Sequence, residues 1–156
     1  MISENNQAQP LDKATVTSSV LTLEHLSIAM ANSFLFQYFD DEREILHNDC
    51  KIVELREEEM TIANGEYQYD VKFDDVKIIV RPKSDLTNEI NINENLFVPI
   101  NYNAFKHSKE DIIEFQNNFI HYKGVKFGII ERFLEWNFDV FNHIKEGRGI
   151  SIHDVV

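Results

Sequence analysis

Between residues 19 and 38 apolar side chains recur at three- and four-residue steps, at Leu23, Leu26, Met30, Phe34 and Tyr38. That spacing predicts one helix with a single apolar stripe, capped by Ser18 or Ser19. Residues 40–49 carry Asp40, Asp41, Glu42 and Glu44 and read as an exposed connection. Residues 51–55 read as a short strand. The period changes to two further on, where Tyr67, Tyr69, Val71 and Phe73 alternate with Gln68, Asp70 and Lys72. Such alternation is the mark of a half-buried strand. Asn64-Gly65 is the preferred pair for a two-residue hairpin turn, because both central residues need positive φ. Asp74-Asp75 reads as a second tight turn, and Val76 to Val80 as a third strand closed by Pro82.

A turn centred on Asn64-Gly65 fixes the register. Ala63 then pairs with Glu66, Ile62 faces Tyr67 and Met60 faces Tyr69. Across the second turn Val71 faces Ile78. On the polar face Glu59 falls opposite Asp70, and Glu57 opposite Lys72. A like-charge cross-strand pair costs up to about 1 kcal/mol, so the pairing of Glu59 with Asp70 asks for an explanation.

Ile90 and Ile92, then Leu96 to Ile100, predict one or two short strands near residues 89–100. Ser108 to Asp111 resembles a capping box, with Ile112, Phe115, Phe119 and Ile120 following at helical spacing. A second helix is predicted over about residues 127–145, with Phe133, Asn137, Val140 and Ile144 on one face and Gly147 past its end. The fold class is therefore α+β: an antiparallel β-meander over residues 51–81, packed against an N-terminal helix and two C-terminal helices. Residues 1–12 read as a flexible tail and 13–156 as a single domain.

Charge changes the picture. The net charge is −12, from 27 acids against 15 bases. A surface of that sign repels nucleic-acid phosphates and anionic membranes, so neither is an expected partner, while a basic protein is. The acids are not evenly spread: residues 40–75 hold 13 of them against four bases. No apolar run is long enough to span a membrane, the polar N-terminus lacks a signal-peptide pattern, and Cys50 is the single cysteine. A cytoplasmic setting is expected, with Cys50 as a small buried hydrophobe.

Candidate chemistry is sparse. The five glycines form no phosphate-binding loop, and no nucleophile motif occurs. His47, Asp49 and Cys50 are near enough in sequence to be tried as metal ligands, but a polar loop explains them as well, and neither a metal nor a cofactor is expected. His25-Leu26-Ser27 matches one half of the paired His-x-Ser elements of two-histidine phosphodiesterases; no second element is present, so His25 reads as a helix-surface residue.

What remains is the acidic segment. A charge run is often only a solvated face. The alternative is a docking surface made by Asp40, Asp41, Glu42, Glu44, Glu57, Glu59, Asp70, Asp74 and Asp75. On that reading the chain is a non-enzymatic binding module that inhibits a basic partner, such as a nuclease or another nucleic-acid-binding protein. An immunity protein against a toxin nuclease and a phage-type inhibitor of a defence enzyme are the two versions. A chaperone or adaptor, as a homodimer with an exposed apolar patch, is the second reading. A small hydrolase with a histidine beside a carboxylate in a deep pocket is the third.

Overall fold

The computed structural model describes residues 20–65, 67–102, 113, 116 and 127–155. It is a mixed α+β structure dominated by one largely antiparallel sheet. The expected N-terminal tail and the helix expected to start near Ser108 lie outside the described residues, apart from Ile113 and Gln116.

The first helix, α1, covers Leu23–Ala31, about half of what the periodicity predicts. Its N-cap is Thr22, not Ser18 or Ser19, and Thr22 exchanges capping hydrogen bonds with His25. It ends at Ser33, whose φ is 56°. Ser33 N–H donates to Met30 O and Phe34 N–H to Ala29 O, the two bonds of a Schellman cap. The chain leaves this cap directly into strand β1, Leu35–Asp40. Phe34 fits the helical spacing, yet it is buried beside Phe36 after the helix has ended.

After a turn at 41–44 the chain returns as β2, Ile45–Leu55, where the sequence predicts an exposed connection followed by a short strand. β3 is Glu59–Ala63, β4 is Gln68–Lys72 and β5 is Val76–Val80. A small hairpin pairs β6, Ile90–Ile92, with β7, Asn95–Phe97. Helix α2 is Phe127–Glu135, and strand β8 is Gly149–Ser151. α2 stops well short of residue 145 because Asn137 takes φ 60°. Asn137 N–H then donates to Leu134 O and Phe138 N–H to Phe133 O, the same cap that ends α1. Gly147, at φ 75°, belongs to a later turn.

The main sheet runs β4-β3-β2-β1-β5-β8. The expected three-strand meander over 51–81 is therefore corrected: β2, β3 and β4 form one, but β5 pairs with β1 and, in parallel, with β8. Val71 and Ile78 are not partners. In a flat sheet β4 and β5 would lie four strand spacings apart, about 19 Å. Instead Asp75 N–H reaches Lys72 O at 3.2 Å and closes a tight turn between them. The sheet must curl back on itself, and irregularities between Phe36 and Tyr38 and between Ile52 and Glu54 supply bends. Inside the curl Phe36, Cys50, Met60, Ile62 and Ile78 are buried together with Leu26 and Ala29 of α1. A second cluster joins Leu86 and Ile90 to Ile130, Phe133 and Trp136, and Leu134 touches both.

The β3–β4 register also differs from expectation. Ala63 pairs with Gln68, Ile62 with Tyr69 and Met60 with Val71. The closing bond is Asn64 N–H to Tyr67 O at 3.2 Å, so the turn sits one residue later than Asn64-Gly65 suggests. Gly65 supplies the positive φ, at 96°. The shift moves each partner by two positions and keeps the faces unchanged. It also removes the anomaly: Glu59 lies opposite Lys72, and Asp70 opposite Thr61.

Candidate functional site

Three open grooves adjoin on the acidic side of the curl. The first, about 450 Å³, lies between the 40–43 turn and β4, and includes Tyr38, Asp40, Asp41, Glu42, Tyr67, Gln68, Tyr69 and Asp70. The second, about 630 Å³, is lined by Arg56, Glu57, Glu58, Glu59 and Lys72. The third, about 240 Å³, shares Gln68 and Asp70 with the first and Arg56 with the second. They form one band that follows β4 and carries eight acids against three bases.

The acids in this band have two different jobs. Asp40 is buried and structural: its Oδ1 accepts the Glu42 and Arg43 main-chain N–H groups at 3.1 and 3.2 Å, and its Oδ2 accepts Arg43 Nη1 at 2.9 Å. Burial pushes this carboxyl up, but the Arg43 hydrogen bonds and charge bring it below its ordinary value. Arg56 gathers Glu54, Glu59 and Asp70, at 3.2, 2.5 and 3.5 Å, and the hydrogen bonds it donates to Glu54 and then Glu59 hold the guanidinium above its ordinary value. Asp70 also accepts the Thr61 hydroxyl at 2.6 Å. By contrast Asp41, Glu42, Glu44, Glu57, Glu58 and Asp74 are exposed and make no ion pair among the described residues.

The sequence-predicted acids thus separate by place. Asp40, Asp41, Glu42 and Asp70 meet across the first groove, and Glu57 and Glu59 line the second. Glu44, Asp74 and Asp75 line none of the three. Asp75 accepts the Lys72 N–H at 3.3 Å and caps the β4–β5 turn. With Asp40 and Asp41 it adds to the burial that raises the Tyr38 phenol.

Sequence reasoning misses a polar network on the inner wall of the first groove. Tyr67 N–H donates to Asn64 Oδ1 at 3.1 Å, which fixes the Asn64 amide. Its Nδ2 end faces His47 Nδ1 at 2.9 Å, so Nδ1 accepts and the proton sits on Nε2. Nε2 donates to the Tyr69 hydroxyl at 3.1 Å, which also receives Arg43 Nη1 at 3.3 Å. Burial, then the Asp40 charge, raises the Tyr69 phenol and keeps it neutral. Arg43 lies over the Tyr67 ring at 4.7 Å. The spacing Asp40-x-x-Arg43 is the one sequence signal that points to part of this network, as a turn closed by an ion pair.

His47, Asp49 and Cys50 do not converge. His47 is held by Asn64 and Tyr69, Asp49 is exposed, and Cys50 is wholly buried, its thiol pushed up to about 11 by burial and then by Asp49. His25 is not a free helix-surface residue: it caps α1 and packs edge-on against His143 and Phe141. A histidine beside a carboxylate does occur, with His153 Nε2 at 2.7 Å from Asp85 Oδ2. Asp85 is also held by Arg81 and Asn88, so the pair ties the end of β8 to the 3-10 turn Lys83–Thr87. No helix among the described residues is long and apolar enough to cross a membrane. Compared with known protein families, curated proteins and solved structures, the chain matches none.

Proposed function

We propose that this chain is a non-enzymatic binding module whose acidic band docks on a basic protein surface and blocks it, in the manner of an immunity protein or an inhibitor of a nucleic-acid-handling enzyme. One observation carries the reading. Exposed carboxylates that hold nothing in the fold, Asp41 and Glu42 at one end and Glu57 and Glu58 at the other, flank a continuous band beside β4. Clustered like charge works against the compact state, while it steers an oppositely charged partner and raises its on-rate by roughly 10- to 1,000-fold. The internal cations Arg43 and Arg56 sit where such a partner's side chains would be held, each against carboxylates already in place.

The test is affinity capture from lysate of the source cells, at low and moderate salt, with the wild type and the variant Asp41→Lys, Glu42→Lys, Glu57→Lys, Glu58→Lys. Capture of one basic protein, weakened by salt and lost in the variant, followed by inhibition of that protein's activity on adding the chain, supports the reading. Equal capture by both chains at either salt overturns it.

A further inference from the structure

On the reading that the acidic band meets a basic partner, we infer that the partner enters as an extended basic segment that adds to the open edge of β4, in the groove between β4 and the 40–43 turn. The argument starts from the ladder. β4 is the last strand of the sheet, with β3 on one side and no described strand on the other. The Asn64 N–H to Tyr67 O bond makes that pair a hydrogen-bonded one. Antiparallel ladders alternate, so Tyr69 and Val71 bond to β3, whereas the main-chain groups of Gln68, Asp70 and Lys72 point off the sheet. Lys72 is already spent, because its N–H reaches Asp75 Oδ2 and its O accepts Asp75 N–H in the turn. Gln68 and Asp70 are left with outward N–H and C=O groups and no described partner. Together they offer an incoming strand a short run of main-chain hydrogen bonds.

An unprotected edge can take several occupants; the charge around it selects among them. Asp40, Asp41, Glu42 and Asp70 line the groove along this edge. A second copy of the chain would bring its own Asp70 and acidic turn against them, and like charges facing across a ladder destabilise it. A basic strand meets carboxylates instead. The groove already shows what it does with a guanidinium: Arg43, with about half its side chain exposed, lies over Tyr67 and bonds Asp40 and Tyr69. In such strand addition the main-chain bonds supply affinity and the alternate side chains supply selectivity, which here falls on arginine or lysine at every second position.

The probe is a capped synthetic peptide alternating arginine and valine, observed through the amide resonances of the folded chain at low salt. The peptide should slow hydrogen exchange at Gln68 and Asp70 by about tenfold or more, while exchange at Tyr69 and Val71 is already slow. N-methylation of the peptide at alternate residues, in both frames, should weaken binding by about tenfold, the cost of lost main-chain bonds. Gln68→Pro should do the same from the protein side, since it removes an N–H that the β3–β4 ladder does not use. Unchanged urea midpoint in that variant shows that it folds. If methylated and unmethylated peptides bind alike, strand addition is wrong although a basic partner still stands. If the basic peptide binds no better than one alternating glutamate and valine, both ideas fall. If Gln68 and Asp70 become protected on raising protein concentration without peptide, the occupant is a second copy and the proposal is overturned.

Discussion

The molecule holds two clusters of ionisable groups that differ in almost every respect. In the acidic band the carboxylates are mostly exposed, and the ion pairs Arg56 makes lie at the surface. In the second cluster, between α1 and β8, Asp139, His143 and Arg148 are nearly inaccessible, at 5%, 2% and 8%. Asp139 accepts the His143 and Ile144 main-chain N–H groups at 2.6 and 3.1 Å, His143 packs on His25, and Arg148 donates to Phe141 O and pairs with Glu146. Asp139 and Arg148 are tied to backbone and fix the path of the chain from α2 to β8. Much of the exposed charge is tied to nothing. Charged residues in the buried cluster are there for the fold; in the acidic band they leave the fold nearly indifferent, which is why the band is the better place to look for function.

The sharpest way to test that contrast is to remove the buried acceptor. Asp139→Ala leaves two main-chain N–H groups without their partner in a dry site, and stability should fall by about 2–4 kcal/mol in urea unfolding. Asp139→Asn keeps one acceptor oxygen and should lose less. Gly149→Ala comes next. A Cβ there would stand 2.8 Å from the His143 Cβ and 3.2 Å from the His143 carbonyl carbon and Ile78 O. Since backbone cannot give way, about 1–3 kcal/mol should be lost.

Acid should separate the clusters without any substitution. Burial, then the charges of His25 and Arg148, depress His143 to about 3 from an ordinary 6.5. Between those limits the unfolded chain binds a proton that the folded chain refuses. Stability is therefore full above pH 6.5 and falls as pH drops toward 3, with a slope approaching about 1.4 kcal/mol per pH unit. Burial raises Asp139, which gains its proton early and offsets part of the loss. Urea midpoints at neutral and mildly acidic pH should converge in His143→Gln; an unchanged slope in that variant would assign the acid sensitivity elsewhere.

How far the sequence showed these two regions depends on what each needs. Strands β3, β4 and β5 were legible because alternation at Tyr69 and Val71 and the Gly65 turn are local signals. The acidic segment was legible as composition. The curl was not, since it depends on strand irregularities and on a Lys72–Asp75 turn that reads like an ordinary hairpin. The groove residues Tyr38, Arg43 and Tyr69, with the His47 that bonds Tyr69, come from three strands and a turn, and only tertiary structure joins them. Both helix ends were misread for one reason: Ser33 and Asn137 take the left-handed conformation that a glycine would have announced. Ser33→Gly and Asn137→Gly should each raise stability by about 0.5–1 kcal/mol, with the larger gain at Ser33 because asparagine already tolerates that region. A loss at either position would mean that the side chain contributes more than its backbone strain.

The smallest effect is the one that decides the comparison. Asp41→Asn, Glu42→Gln, Glu57→Gln and Glu58→Gln together remove four exposed charges that make no ion pair among the described residues. Surface changes of this kind usually stay within about 0.5 kcal/mol each. In a chain of net charge −12 the relief of self-repulsion pushes the sum toward stabilisation, more visibly at low salt, where screening is weakest. Unchanged or slightly higher urea midpoints would show that the fold does not need these carboxylates, so their clustering beside an open strand edge has to be explained by something outside the chain. A loss above about 1 kcal/mol, far outside the usual surface range, would make the band a structural element like the Asp139 cluster, and the contrast from which a docking role is argued would disappear.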